Sequence, residues 1–128
     1  MAANYATQTV GLTTNMVGIY TAPSANNDNR SIVLSIFASN KTGSDNSLTC
    51  GIADTSTAPT GITSTAIVAA LANAIVIPAN TSLELVVNKI ILQGGTPEAN
   101  KPAYIYAQAA SASAVDVTVS AYETGTGV

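Results

Sequence analysis

The stretch Val115-Asp116-Val117-Thr118-Val119-Ser120-Ala121-Tyr122 alternates apolar and polar side chains up to its last residue. Successive side chains of an extended chain point to opposite faces, so Val115, Val117, Val119 and Ala121 form one dry face. Asp116, Thr118, Ser120 and Tyr122 form the other, which meets water or a partner. Wound into a helix, the same residues would scatter around the axis. The segment reads as a strand of an antiparallel sheet with one covered face.

Working outward, the same period recurs. Residues Arg30 to Ser39 place Ile32, Leu34, Ile36 and Ala38 on one face, with Val33, Ser35, Phe37 and Ser39 opposite. Ser47 to Ala53 turns Leu48, Cys50 and Ile52 inward. The polar run Asn40 to Asn46 between them reads as a hairpin loop. Leu83, Leu85 and Val87 alternate again, and the apolar run continues through Ile90-Ile91-Leu92 until Gly94-Gly95-Thr96-Pro97 breaks it. Tyr104 to Ala107 begins another strand. Ala66 to Ala74 has enough Ala and Leu for a short helix, but Ile75-Val76-Ile77 before Pro78 favours an extended segment. The fold class that follows is all-β: an antiparallel, jelly-roll-like β-sandwich with at most one short helix. Residues 1–128 form a single domain, with about 1–11 as an N-terminal arm and 124–128 as a flexible tail.

Composition narrows the function. A chain of 128 residues holds one core. It is 47% hydrophobic but only 5% aromatic, without Trp, so Val, Ile, Leu and Ala must pack it. That suits regular sheet packing better than a pocket lined by rings. Charged residues make up 9%, against about 25% in ordinary soluble domains. Low charge leaves little repulsion between copies, a liability for a lone molecule and acceptable in an assembly. The basic residues Arg30, Lys41, Lys89 and Lys101 are scattered and the net charge is −3, so no direct nucleic-acid partner is expected. No apolar run reaches the ~20 residues of a spanning helix, so no membrane partner is expected either. Met1-Ala2-Ala3-Asn4 has neither the basic region nor the apolar stretch of a secretory leader, which points to synthesis in the cytoplasm without export by the common secretory route.

The side chains offer little chemistry. Histidine is absent, which removes the usual general base and the Ser-His and Cys-His nucleophilic pairs. Cys50 alternates with Leu48 and Ile52 and reads as a small buried hydrophobe. Asp28, Asp45, Asp54, Glu84, Glu98, Asp116 and Glu123 show no metal-ligand spacing. Asn26-Asn27-Asp28-Asn29 could offer oxygens to calcium, but lacks the longer acidic series of a calcium loop and reads as a polar turn. Gly94-Gly95 is not followed by Lys-Ser/Thr and is no phosphate loop. No catalytic, cofactor-binding or metal residue is assigned, and no cofactor is expected.

The tyrosines are the candidate contact residues. Tyr104 and Tyr106 share one face of a strand, Tyr122 ends the alternating segment, and Tyr5 lies in the N-terminal arm. Rigid amphipathic rings suit an interface between subunits. A carbohydrate-binding platform is the sharper alternative.

Three blocks carry a resemblance. R-S-I-V-L-S-I-F-A-S-N-K-T-G-S-D (30–45), I-P-A-N-T-S-L-E-L-V-V-N-K-I-I-L-Q-G-G (77–95) and A-S-A-V-D-V-T-V-S-A-Y-E (112–123) resemble small virion structural proteins of tailed bacteriophages, those of cyanobacteria first among them. The Ala-rich stretch 65–73 and residues 96–102 lie outside the matching blocks. The resemblance implies a β-sandwich present in many copies on the virion, and it supplies no site residue. It implies a homo-oligomer, for instance a trimer, partnered with the major capsid protein or another virion protein. Head decoration leads, a neck, tail or fibre-base part is the runner-up, and a carbohydrate-binding module for host adsorption belongs to another class.

Overall fold

The computed structural model describes residues 2–86, 89–95, 98 and 101–126. The alternating segments emerge as strands: β1 (Ala2–Gly11), β2 (Val17–Thr21), β3 (Arg30–Asn40), β4 (Asn46–Ala53), β5 (Ile67–Ile77), β6 (Ser82–Glu84), β7 (Ile90–Gln93), β8 (Tyr104–Ala109) and β9 (Val115–Gly125). Among the described residues there is no helix, and the ambiguous stretch 66–74 falls in strand β5.

Two antiparallel sheets pack face to face. Sheet A runs β1-β9-β3-β6, with β7 also on β3, and sheet B runs β2-β8-β4-β5. Strands β6 and β7 lie end to end along one edge of β3, opposite Phe37–Ser39 and Arg30–Val33. Counted as one interrupted strand, they complete a simple scheme. First pairs with last, second with next to last, third with the interrupted strand, and fourth with fifth. That is one long ribbon rolled on itself, the eight-stranded jelly roll. Rolling sets β9 against β3 and β8 against β4. Val33, Ile36, Ala38, Leu92, Val117, Val119 and Ala121 of sheet A and Ile19, Leu48, Cys50, Ile105 and Ala107 of sheet B are all buried in the core.

Strand β3 departs from the face expected of it. Val33 pairs with Ala121 but Ser35 with Ser120, so Leu34 is an extra residue on β3. A bulge of this kind reverses the parity of the side chains beyond it. Ser31 and Val33 face the core before it, and Ile36, Ala38 and Asn40 after it. Ile32 and Leu34, expected inside, lie outside.

The run 40–46 is likewise no hairpin, because β3 and β4 belong to different sheets. Buried Asn40 anchors this crossing. Its Nδ2 donates to the carbonyls of Ser44 (2.8 Å) and Ile77 (2.9 Å), and its Oδ1 accepts from the Thr42 N–H (3.0 Å) and hydroxyl (2.8 Å). The apolar run from Leu83 to Leu92 is divided between β6 and β7; Val87, read with it, lies outside the described residues.

Residues 2–11, expected as an arm, pair with β9 along their whole length. At the far end of β9, the Thr126 hydroxyl donates to Asp28 (2.8 Å) and Asn26 Nδ2 donates to the Thr126 carbonyl (2.6 Å). The Asn26–Asn29 turn thus clasps the start of the expected tail; residues 127 and 128 lie outside the described residues. Gly95 and Gly125 have positive φ of 84° and 134°, and a Cβ at either would collide with Asn27 or Asn29. Glycine is required there.

Candidate interaction surface

The carboxylates are dispersed rather than gathered. Asp116 pairs with Lys41 at 3.1 Å and Glu98 with Lys101 at 2.6 Å. Glu84 accepts from the Ser35 hydroxyl (2.9 Å), and Asp45 from the Ala79 N–H (3.1 Å). Among the described residues no three potential metal ligands of the His, Cys, Asp or Glu type come together. Cys50 is buried, and burial pushes its thiol up to about 12, so it is held as the unreactive neutral form.

The exception is Glu123, which is buried under β2. The Tyr20 hydroxyl donates to its carboxylate and lies 2.9 Å from the Ser31 hydroxyl, tying sheet B to sheet A through polar groups. Burial first, and the bond to Glu123 second, raise the Tyr20 pKa above its ordinary value. Glu123 was not among the residues expected to matter, yet parity signals it: it continues the inward series Val115, Val117, Val119 and Ala121.

The four candidate tyrosines divide into two pairs. Tyr104 and Tyr106 lie on the outer face of sheet B, their ring centroids 6.3 Å apart. They are nonetheless buried, only 8% and 5% exposed. The segment between β4 and β5 folds over this face. The Tyr106 hydroxyl donates to the Thr55 carbonyl (3.2 Å), and Ile62 and Ile67 occupy the space beside Gly51. Burial, and then the neighbouring Tyr104, raise the Tyr106 pKa. These two rings face their own chain.

Tyr5 and Tyr122 are different. They pair across β1 and β9 on the outer face of sheet A, edge to face with centroids 5.1 Å apart. The pairing continues across the sheet: Tyr122 opposes Ile32, and Ile32 opposes Ile91. The result is an apolar row, Tyr5-Tyr122-Ile32-Ile91, crossing all four ranks of sheet A. Tyr5 is 75% exposed and Ile91 61%. Leu34, pushed outward by the bulge, and Phe37 add to the same face at 39% and 43%. Beside the row lie the ranks Thr7-Ser120-Ser35 and Thr9-Thr118-Phe37-Glu84, with the Thr9 and Thr118 hydroxyls 3.1 Å apart and Glu84 bonded to Ser35. An apolar patch with a polar rim, here hydroxyl side chains with Glu84 and Arg30 at its margins, is the composition of a protein contact surface. Tyr5 and Tyr122 were legible as contact candidates, whereas Ile32, Leu34 and Ile91 were not, because the bulge that exposes Leu34 has no signature in β3 itself.

No protein-family model matches the chain, and no curated protein matches it. Two solved structures are similar in fold. One is a chain of the disulfide-linked pili formed by Bacillus endospore appendages, with a TM-score of 0.47 and 13% identity over 95% of this chain and 84% of that one. The other is a chain from infectious bursal disease virus, strain Gx, with a TM-score of 0.42 and 11% identity over 94% of this chain. This chain spans 32% of the viral one. Likeness at these levels supports no functional conclusion.

Proposed function

We propose that the chain is a virion structural subunit of a tailed bacteriophage, a decoration or cement protein that stabilises the head by bridging neighbouring capsid subunits. The observation that carries this reading is the apolar row Tyr5-Tyr122-Ile32-Ile91 with Leu34 and Phe37 on the outer face of sheet A. Such a face is costly in water and gains from being covered, at roughly 25 cal/mol per Å² of apolar surface. A surface so low in charge selects protein neighbours by shape and apolar contact. The mechanism is mass action: a subunit that binds only the assembled lattice stabilises that lattice. The three blocks that resemble phage virion proteins include β3, β7 and β9, the strands that bear most of the row. The glycan-binding alternative is weaker, since Tyr104 and Tyr106 are buried and present no platform.

Quantitative mass spectrometry of purified particles tests the reading. A copy number matching the capsid lattice supports decoration, and a small ring number supports the neck or tail instead. Absence from particles, together with failure to bind empty heads, would overturn the structural role.

A further inference from the structure

Each sheet ends in edges, and the edges are built differently. In sheet B, β5 spends eleven residues opposite the eight of β4, with three register shifts and Ala74 at φ 53°. Strand β2 is five residues long and bulged between Gly18 and Tyr20. In sheet A, the edge beside β3 is split into β6 and β7, of three and four residues. Bulges, shortness and interruption are the devices that stop a sheet from adding strands. Strand β1 has none of them. It runs ten residues in unbroken register with β9 and contains no charge, no proline and no bulge.

The phase of its ladder is fixed by one bond. The Leu12 N–H donates to the Val115 carbonyl at 2.9 Å, continuing the register in which Gly11 opposes Asp116. In an antiparallel ladder every second residue bonds to the same neighbour. Even-numbered residues of β1 therefore face β9, and the N–H and C=O groups of Ala3, Tyr5, Thr7 and Thr9 face the open edge. Side chains follow the same parity: Tyr5, Thr7 and Thr9 stand on the outer face with the apolar row, which ends at this edge.

We infer that the open edge of β1 pairs antiparallel with β1 of a second copy of this chain, joining two A sheets into one. Antiparallel pairing about a two-fold axis makes the strand complementary to itself, with the odd residues of one copy bonded to those of the other. No charge on β1 opposes this, and Thr and Tyr side chains meet across the seam as favourable cross-strand pairs. The apolar row then continues from one copy into the next. The inference deepens the reading of the chain as an assembling subunit and rests on it.

The test is the oligomeric state of the full chain by light scattering and sedimentation, with proline as the probe. Thr7→Pro removes an N–H that faces the open edge, whereas Gln8→Pro removes one that bonds β9. The wild-type chain is expected to dimerise. Thr7→Pro is expected to weaken the dimer about a hundredfold, roughly tenfold for each of two symmetry-related bonds, with little change in urea midpoint. Thr7→Lys, which puts a charge into the uncharged seam, is expected to act in the same direction and covers the case in which the proline variant fails to fold. A wild-type chain that stays monomeric, or a dimer indifferent to both Thr7 variants, would overturn the pairing. A monomeric chain that still joins particles overturns the pairing alone. A β1-dependent dimer that never joins particles supports the pairing and overturns the virion reading.

Discussion

The two faces of sheet A are made by the same four strand ranks and carry comparable amounts of apolar side chain, yet they serve opposite ends. The inner face sets Val33, Ile36, Ala38, Val117, Val119 and Ala121 against sheet B, all buried. The outer face sets Ile32, Leu34, Phe37, Tyr122, Tyr5 and Ile91 toward water, four of them large and exposed. Sheet B shows that part of an outer face can be covered from within, since the 54–66 segment bonds Tyr106 through Thr55, while Val76 at its edge stays 58% exposed. Sheet A has no such cover among the described residues. Apolarity inside builds the fold, and apolarity outside is the surface that the proposed assembly would cover.

Substitutions can break that comparison. Ile36→Ala on the inner face is expected to cost about 2–5 kcal/mol in urea unfolding, from lost burial and the cavity left behind. Tyr20→Phe removes the donor of buried Glu123 and is expected to cost about 1–3 kcal/mol. A pH series gives a further inner-face signature that is silent near neutrality. Cys50 has an ordinary value of 9.0, and burial raises it to about 12. Between these values the folded chain keeps a proton that the unfolded chain has lost. Stability from this group is therefore full below pH 9 and falls as pH rises toward about 12. Tyr20 adds a fall in the same direction. Cys50→Ala should flatten part of that slope in urea titrations.

Outer-face substitutions are expected to cost the isolated chain much less. Tyr5→Ala loses one edge-to-face ring pair, about 0.5–1.5 kcal/mol. Ile91→Ala should change the unfolding free energy by under about 0.5 kcal/mol in urea titrations. Equal costs for Ile36→Ala and Ile91→Ala would show that the two faces do not differ as described.

Much of this was legible in the residues. The period-two pattern of 115–122 marked the dry face of β9, and the alternation of Leu48, Cys50 and Ile52 marked the inner face of β4. What escaped has physical causes. Alternation reports parity only while the register is unbroken, and one inserted residue, Leu34, turned the apolar side chains of β3 from one face to the other. Loop composition showed a turn at 40–46, but whether the chain returns to its own sheet or crosses to the other depends on the roll of the whole ribbon. Tyr104 and Tyr106 looked exposed because the segment that covers them is distant from them in sequence. The polar N-terminal residues read as an arm because β1 gains its order from pairing with β9 rather than from burial of its own side chains.

The central claim is that the outer face of sheet A is covered in the working assembly. Thiol footprinting at Ile91→Cys measures it directly, because the native Cys50 is buried and silent. In the isolated chain the introduced thiol should react as a free surface thiol, and in purified particles it should be strongly protected. Equal reactivity in the two states would contradict the account.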